Sequence, residues 1–174
     1  MTHYTVIVFD DGSRVDELVA PYDEQIEVAP YVKGKVTVDD LRNFLNHYLA
    51  DVKPYDNENP LNIKTLEELI KENGENWNGG RWVKNAKGEW EEWSRYNPAS
   101  KYDYYNEEKT VTKKGLPKWT PFAFVTPDGI WHSKGVMGWW AMSWDEKVDG
   151  VWDKEYKDAV ENYTGKFTIL DCHI

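Results

Sequence analysis

The sequence predicts an α+β fold: a single domain with a small, mainly antiparallel sheet and about three helices. Three observations predict it. The chain has 174 residues, the usual size of one domain with a sizeable core. Short β-branched and aromatic runs stand at both ends and near residue 122, with helical apolar stripes between them. These elements do not alternate as a regular strand–helix–strand repeat, which disfavours a doubly wound sheet.

The elements follow in order. Residues 4–9 read Tyr-Thr-Val-Ile-Val-Phe, a buried strand, broken by Asp10-Asp11-Gly12-Ser13. Val15, Leu18 and Val19 set a short helix over 14–20 that Pro21 ends. Residues 25–28 alternate like an edge strand stopped by Pro30. Thr37 is an N-cap, with Asp39 and Asp40 in the first turn complementing the helix dipole. Behind it, Val38, Leu41, Leu45, Tyr48 and Leu49 form one apolar stripe. A second helix is predicted over 64–73, where Thr65 and Glu68 resemble a capping box and Gly74 takes the position past the end. Residues 75–118 read as loop-rich and polar-aromatic, with a turn at Ala86-Lys87-Gly88. Residues 122–132 predict a hairpin around Pro127-Asp128-Gly129, because Pro presets φ and Gly accepts positive φ. A glycine-hinged segment, 135–144, leads to a helix over 151–163 carrying Trp152, Tyr156, Ala159, Val160 and Tyr163. A strand closes the chain.

Composition narrows the function. Lysine and arginine number 21 against 31 aspartate and glutamate, a net charge of −10, which excludes a duplex nucleic-acid binder that would need a basic face. One cysteine allows no intrachain disulfide. No apolar run is long enough to cross a membrane, and the first residues lack the basic and apolar regions of a signal peptide, so no membrane partner and a cytoplasmic setting are expected. The 10 Trp and 11 Tyr suit a core and also ligand-stacking surfaces.

Few residues could carry chemistry. The histidines His3, His47, His132 and His173 form no His-Glu-x-x-His motif and there is no paired cysteine spacing, so neither a metal nor a cofactor is expected. Asp171 and His173 point to one face of a strand and Cys172 to the other, so the carboxylate can orient the imidazole. The plainer reading is a terminal strand with polar residues facing water. His132 is a candidate acid or base that needs a positioned partner. Gly79-Gly80-Arg81-Trp82 offers amides, a guanidinium and a ring that together could hold a phosphate and stack a base. A Gly-Gly turn before a strand would look the same. Trp131, Trp139, Trp140 and Trp144, interrupted by Gly135 and Gly138, could sandwich a flat heterocycle, with Lys134 nearby. At least two of these rings should be core whatever the function.

Several linked motifs resemble a family of proteins from tailed phages and related mobile elements. They are His3-Tyr4-Thr-Val-Ile-Val8, Ala20-Pro21-Tyr22-Asp-Glu24, Glu27-Val-Ala-Pro-Tyr31, Tyr96-Asn-Pro-Ala-Ser-Lys-Tyr-Asp-Tyr104, Val125-Thr-Pro-Asp-Gly-Ile-Trp-His132, Gly135-Val-Met-Gly-Trp139 and Leu170-Asp-Cys-His-Ile174. One departure is that Gly79-Gly-Arg-Trp82 lies upstream of the central aromatic motif, whereas in the family such a segment follows it. The resemblance transfers no catalytic residue. It implies a phage-encoded protein acting in the host cytoplasm.

Three functions are therefore weighed. The first is a binding protein that sequesters a nucleotide-derived immune signal of the host, through Arg81, Trp82, Trp131, His132, Lys134, Trp139, Trp140 and His173. The second is an enzyme hydrolysing or modifying such a nucleotide, with His132, His173 and Asp171 as acid, base and orienting carboxylate. The third is an inhibitor that docks on a host defence protein. Assembly into a homo-oligomer is left open in each. The site is expected in the aromatic C-terminal half.

Overall fold

The computed structural model describes residues 2–41, 43, 81–138 and 142–174. They fall into two compact units, Met1–Ile26 with Asn97–Ile174, and Glu27–Tyr96. The α+β class holds: helices pack with sheets whose pairings are antiparallel except for one.

The first unit is built on a five-stranded sheet. Its strands are β1 (His3–Val8), β5 (Tyr104–Val111), β6 (Ala123–Val125), β7 (Trp131–Ser133) and β10 (Phe167–His173), in the order β5-β10-β1-β6-β7. β1 and β6 run parallel. Period-two alternation gives each face its own core. On one face Tyr4, Val6, Val8, Leu170 and Cys172 meet Val15, Leu18 and Val19 of α1 (Val15–Val19). On the other, Ile7, Phe9, Phe124 and Phe167 meet Trp152 and Tyr156 of α2 (Asp149–Asn162). Trp152 is fully buried, and its indole N–H donates to the Pro121 carbonyl at 2.8 Å. A two-stranded ribbon, β8 (Val136–Met137) with β9 (Ser143–Trp144), belongs to the same unit.

The predicted hairpin forms as expected, with Gly129 at φ 81° and β6 pairing β7. The short helix is also present, and a 3₁₀ turn, Ala20–Tyr22, carries it through Pro21. Its start is organised by Asp10, whose carboxylate accepts from the Gly12 and Arg14 amides at 3.0 and 2.9 Å. Two expectations are corrected. Residues 25–28 are not a strand. Asp23 takes the Gln25 amide in a local turn at 2.8 Å, and β2 (Tyr31–Val36) starts only beyond Pro30, whose missing N–H favours that boundary. Residues 75–118 are not simply loop-rich either, because strands Arg81–Lys84, Trp90–Ser94 and β5 lie there.

The second unit is a three-stranded sheet, β2-β4-β3, with β3 (Arg81–Lys84) and β4 (Trp90–Ser94). The expected Ala86-Lys87-Gly88 turn joins β3 to β4, with Gly88 at φ 78°. Thr37 and Asp40 cap residues 38–41 reciprocally: the Asp40 amide donates to the Thr37 hydroxyl at 3.1 Å, and the Thr37 amide donates to the Asp40 carboxylate at 2.9 Å. His47, the rest of that apolar stripe and the helix predicted over 64–73 lie outside the described residues.

Candidate functional site

The sheet divides the expected acid–base trio. His132 pairs with Phe124 on β6, which pairs with Ile7, which in turn pairs with Ile169 on β10. His173 lies four residues beyond Ile169 and three strand spacings from β7. At about 3.3 Å per residue and 4.8 Å per strand, the two imidazoles stand roughly 19 Å apart. His132 instead stacks on Phe124, with centroids 4.6 Å apart, and its Nδ1 lies 3.1 Å from Glu155. Lys147 donates to the other Glu155 oxygen at 2.7 Å. Burial works to raise the Glu155 pKa, but the bonds from Lys147 and His132 outweigh it and hold the carboxyl below its ordinary range. His132 thus closes a chain of polar contacts, His132–Glu155–Lys147, that ties β7 to α2.

His173 has a different neighbour, one the sequence did not suggest. Thr2 and Ile174 exchange both backbone hydrogen bonds, at 3.1 and 3.2 Å. The next pair along, His3 and His173, is therefore a non-hydrogen-bonded pair, where side chains stand closest. Their ring centroids are 3.8 Å apart. Asp171, two residues back on the same face, lies 2.9 Å from His3 Nδ1 and 3.4 Å from His173 Nε2. Tyr104 of the neighbouring strand stacks over His173 at 4.0 Å. Cys172 points into the opposite core, and burial followed by the nearby Asp171 charge pushes its thiol well up, so it is a core residue and not a nucleophile.

The other predicted ligand residues are spread out. Trp131 packs on Tyr22 and Tyr102, with centroids at 5.1 and 6.4 Å. The cavity beside it, which also touches Tyr4, Phe122, Gly135 and Met137, measures ≈ 40 Å³, room for a water-sized occupant but not for a heterocycle. Lys134 is engaged by Glu146 at 3.0 Å and Asp149 at 2.8 Å, and the Asp149 and then Glu146 bonds hold its ammonium above the ordinary lysine range. Gly135 and Gly138 admit Trp144 rather than a ligand: the Trp144 carbonyl crowds the first and its ring the second. Trp82 is buried in the second unit. The side chain of Arg81 and the residues Trp139 and Trp140 lie outside the described residues.

A larger groove, of ≈ 820 Å³, opens in the first unit where three connections meet. The turn after β1 supplies Asp10 and Asp11. The segment after β5 supplies Thr112, Lys113 and Lys114, and the link from α2 to β10 supplies Tyr163, Thr164, Gly165 and Lys166. Among the described residues, no carboxylate lies within ion-pairing distance of the three ammonium groups. Asp10 is occupied by its two backbone donors. Asp11 is held below the ordinary aspartate range by its hydrogen bonds with Ser13, helped by Lys166. Tyr163 stands with its ring against Phe9 and Phe167, at 5.3 and 5.2 Å, and burial, then the Asp10 and Asp11 charges, push its hydroxyl up. Sequence reasoning missed this groove because its cations come from separate loops. The only trace is lysine beside threonine, at Thr112-Lys113-Lys114 and Thr164-Gly165-Lys166.

No protein-family model, curated protein or solved structure matches the chain. Among the described residues, no helix is long and apolar enough to cross a membrane.

Proposed function

We propose that this chain is a binding protein for a small phosphorylated, nucleotide-like ligand, held in the groove between Lys113, Lys114 and Lys166. The observation that carries the reading is a cluster of three ammonium groups without a carboxylate ion-pair partner among the described residues (Lys113 donates only to the Glu161 carbonyl, at 3.2 Å), beside threonines and an aromatic ring, on a chain of net charge −10. The groove volume suits a nucleotide-sized molecule, and ammonium groups make charge-assisted bonds to phosphate oxygens. Sequestration is favoured over turnover because His132 stands far from Asp171 and His173, which leaves the proposed acid–base trio without a common substrate. The motif resemblance supplies a setting for the proposal: a phage protein in the host cytoplasm that withholds a nucleotide-derived immune signal.

Isothermal titration with ADP-ribose, cyclic nucleotides and inorganic phosphate tests the reading. Each lysine contact to phosphate is worth about 1.5–3 kcal/mol, so Lys113→Glu and Lys166→Glu should each weaken binding about tenfold or more. Mass analysis should recover the ligand intact. Absence of binding across the panel, or full-strength binding by both variants, defeats the proposal.

A second reading, docking on a host protein, is favoured by the exposed apolar side chains of Met142, Trp144, Val148 and Val151. A single stoichiometric partner from host lysate, lost in Trp144→Ser, would favour it over ligand capture.

A further inference from the structure

We propose that His3, Asp171 and His173 form a binding site for a divalent transition-metal ion of the zinc class, separate from the lysine groove. The register places the three side chains together. The close non-hydrogen-bonded pair brings His3 against His173, and Asp171 follows on the same face. One donor atom from each residue lies within 4.8 Å of the other two.

The spacing fits a small cation. Zinc bonds of about 2.1 Å at tetrahedral angles set donors about 3.4 Å apart, and a six-coordinate ion of the same bond length sets neighbours about 3.0 Å apart. The two carboxylate–imidazole separations are 2.9 and 3.4 Å. Two imidazoles and one carboxylate are a donor set of borderline softness, suited to zinc and its first-row neighbours rather than to magnesium or calcium, which prefer oxygen.

An independent observation points the same way. The His173 side chain is only 4% exposed, yet neither of its ring nitrogens has a hydrogen-bond partner. A buried imidazole whose nitrogens make no hydrogen bond, the Asp171 oxygen at 3.4 Å included, carries a desolvation cost of about 1–3 kcal/mol that a hydrogen bond or a metal bond would offset. The chain packs the ring between Tyr104 and His3 and aims it at Asp171, and a cation there would satisfy it.

The rest of the site suits an exchangeable ion. His3 is 58% and Asp171 30% exposed, so solvent reaches the cation from one side and can fill the remaining coordination positions. Binding replaces any proton that His3 shares with Asp171, and that proton leaves to solvent. The ion would also link β1 to β10 through side chains, adding a clamp across the central pairing of the sheet.

The test uses the full chain without a polyhistidine tag. Zinc chloride is titrated by calorimetry, zinc retained after dialysis is measured by elemental analysis, and cobalt(II) is added as a spectroscopic stand-in. One equivalent of zinc should bind, and cobalt should give the visible d–d bands of a site of low coordination number. His3→Asn and Asp171→Asn should each weaken zinc binding at least about tenfold. His3 is largely exposed and its bond to Asp171 is a surface contact worth about 0–1 kcal/mol, so His3→Asn should lower the melting temperature of the metal-free protein by at most about 4 °C while abolishing its rise on adding zinc. His173→Asn removes a buried ring and serves only if it folds; His3→Asn carries the decision. Failure of the wild-type chain to retain zinc, or equal retention by His3→Asn, overturns the proposal.

Discussion

Gly165 lies in the lysine groove beside Tyr163, and replacing it with alanine sets two opposing effects against each other. Its φ is not in the left-handed region, so an alanine suits the backbone and narrows the unfolded ensemble, a gain of about 0.4–1 kcal/mol. Against this, the added Cβ would overlap the Tyr163 hydroxyl and the ring carbon that bears it. The ring cannot slide aside freely, because Phe9 and Phe167 hold it at 5.3 and 5.2 Å. Such overpacking costs about 1–3 kcal/mol. The cost exceeds the gain, and a net destabilisation of about 1.3 kcal/mol lowers Tm by roughly 3–5 °C in a chain of this size. Thermal unfolding followed by circular dichroism measures it, and a double-mutant cycle isolates the cause. In a Tyr163→Ala background the clash is gone, so Gly165→Ala should raise Tm by roughly 1–3 °C. A Gly165→Ala protein at least as stable as the parent, or one destabilised equally in both backgrounds, would refute the reasoning.

Two further predictions concern the first unit. Trp152→Ala empties the centre of the α2 face and leaves the Pro121 carbonyl unpaired, so stability should fall by about 3–5 kcal/mol and Tm by roughly 6–20 °C; a fall under about 5 °C would contradict the packing described. Glu24 is a carboxylate in the wrong place: burial first, then the charges of Asp103 and Asp23, push its pKa above the ordinary value. A raised carboxyl pKa means stability is lost as pH climbs from the ordinary glutamate value through the folded one. Glu24→Gln should therefore melt higher than the parent at neutral pH, with the advantage vanishing below about pH 4, and an advantage that persists in acid would show another origin.

What the sequence disclosed depended on how local each signal was. The Phe122-to-His132 hairpin was readable because Pro127-Asp128-Gly129 specifies its own turn, and the α2 stripe because its rings repeat at helical spacing. β5 escaped notice because it is an edge strand with mostly exposed side chains, so Asn106, Glu107, Glu108 and Lys109 show no apolar alternation. Residues 25–28 showed alternation without finding a strand partner. At the site, Asp171 and His173 were legible as a same-face pair, because two residues of one strand need no knowledge of the sheet. Their partner His3 was not, because it stands 168 positions from Asp171 and meets it only through the antiparallel register of β1 and β10. The indoles misled for the opposite reason. Closeness in sequence suggested a shared pocket, yet Trp131 packs on Tyr22 and Tyr102 while the Trp144 ring lies exposed against Gly138.

The strand order has a consequence for how the chain assembles. β10 lies between β5 and β1, so of the five strands in this sheet the one synthesised last is an interior one. Until residues 167–173 leave the ribosome, β1 has one open side and β5 lacks its neighbour in the sheet. Joining β1 to β10 closes a very long loop, and pairings of such separation form slowly. A ribosome-bound chain stopped before Phe167 would thus expose the unpaired edge of a strongly apolar strand, Val6-Ile7-Val8, which makes the nascent chain a natural client for a chaperone.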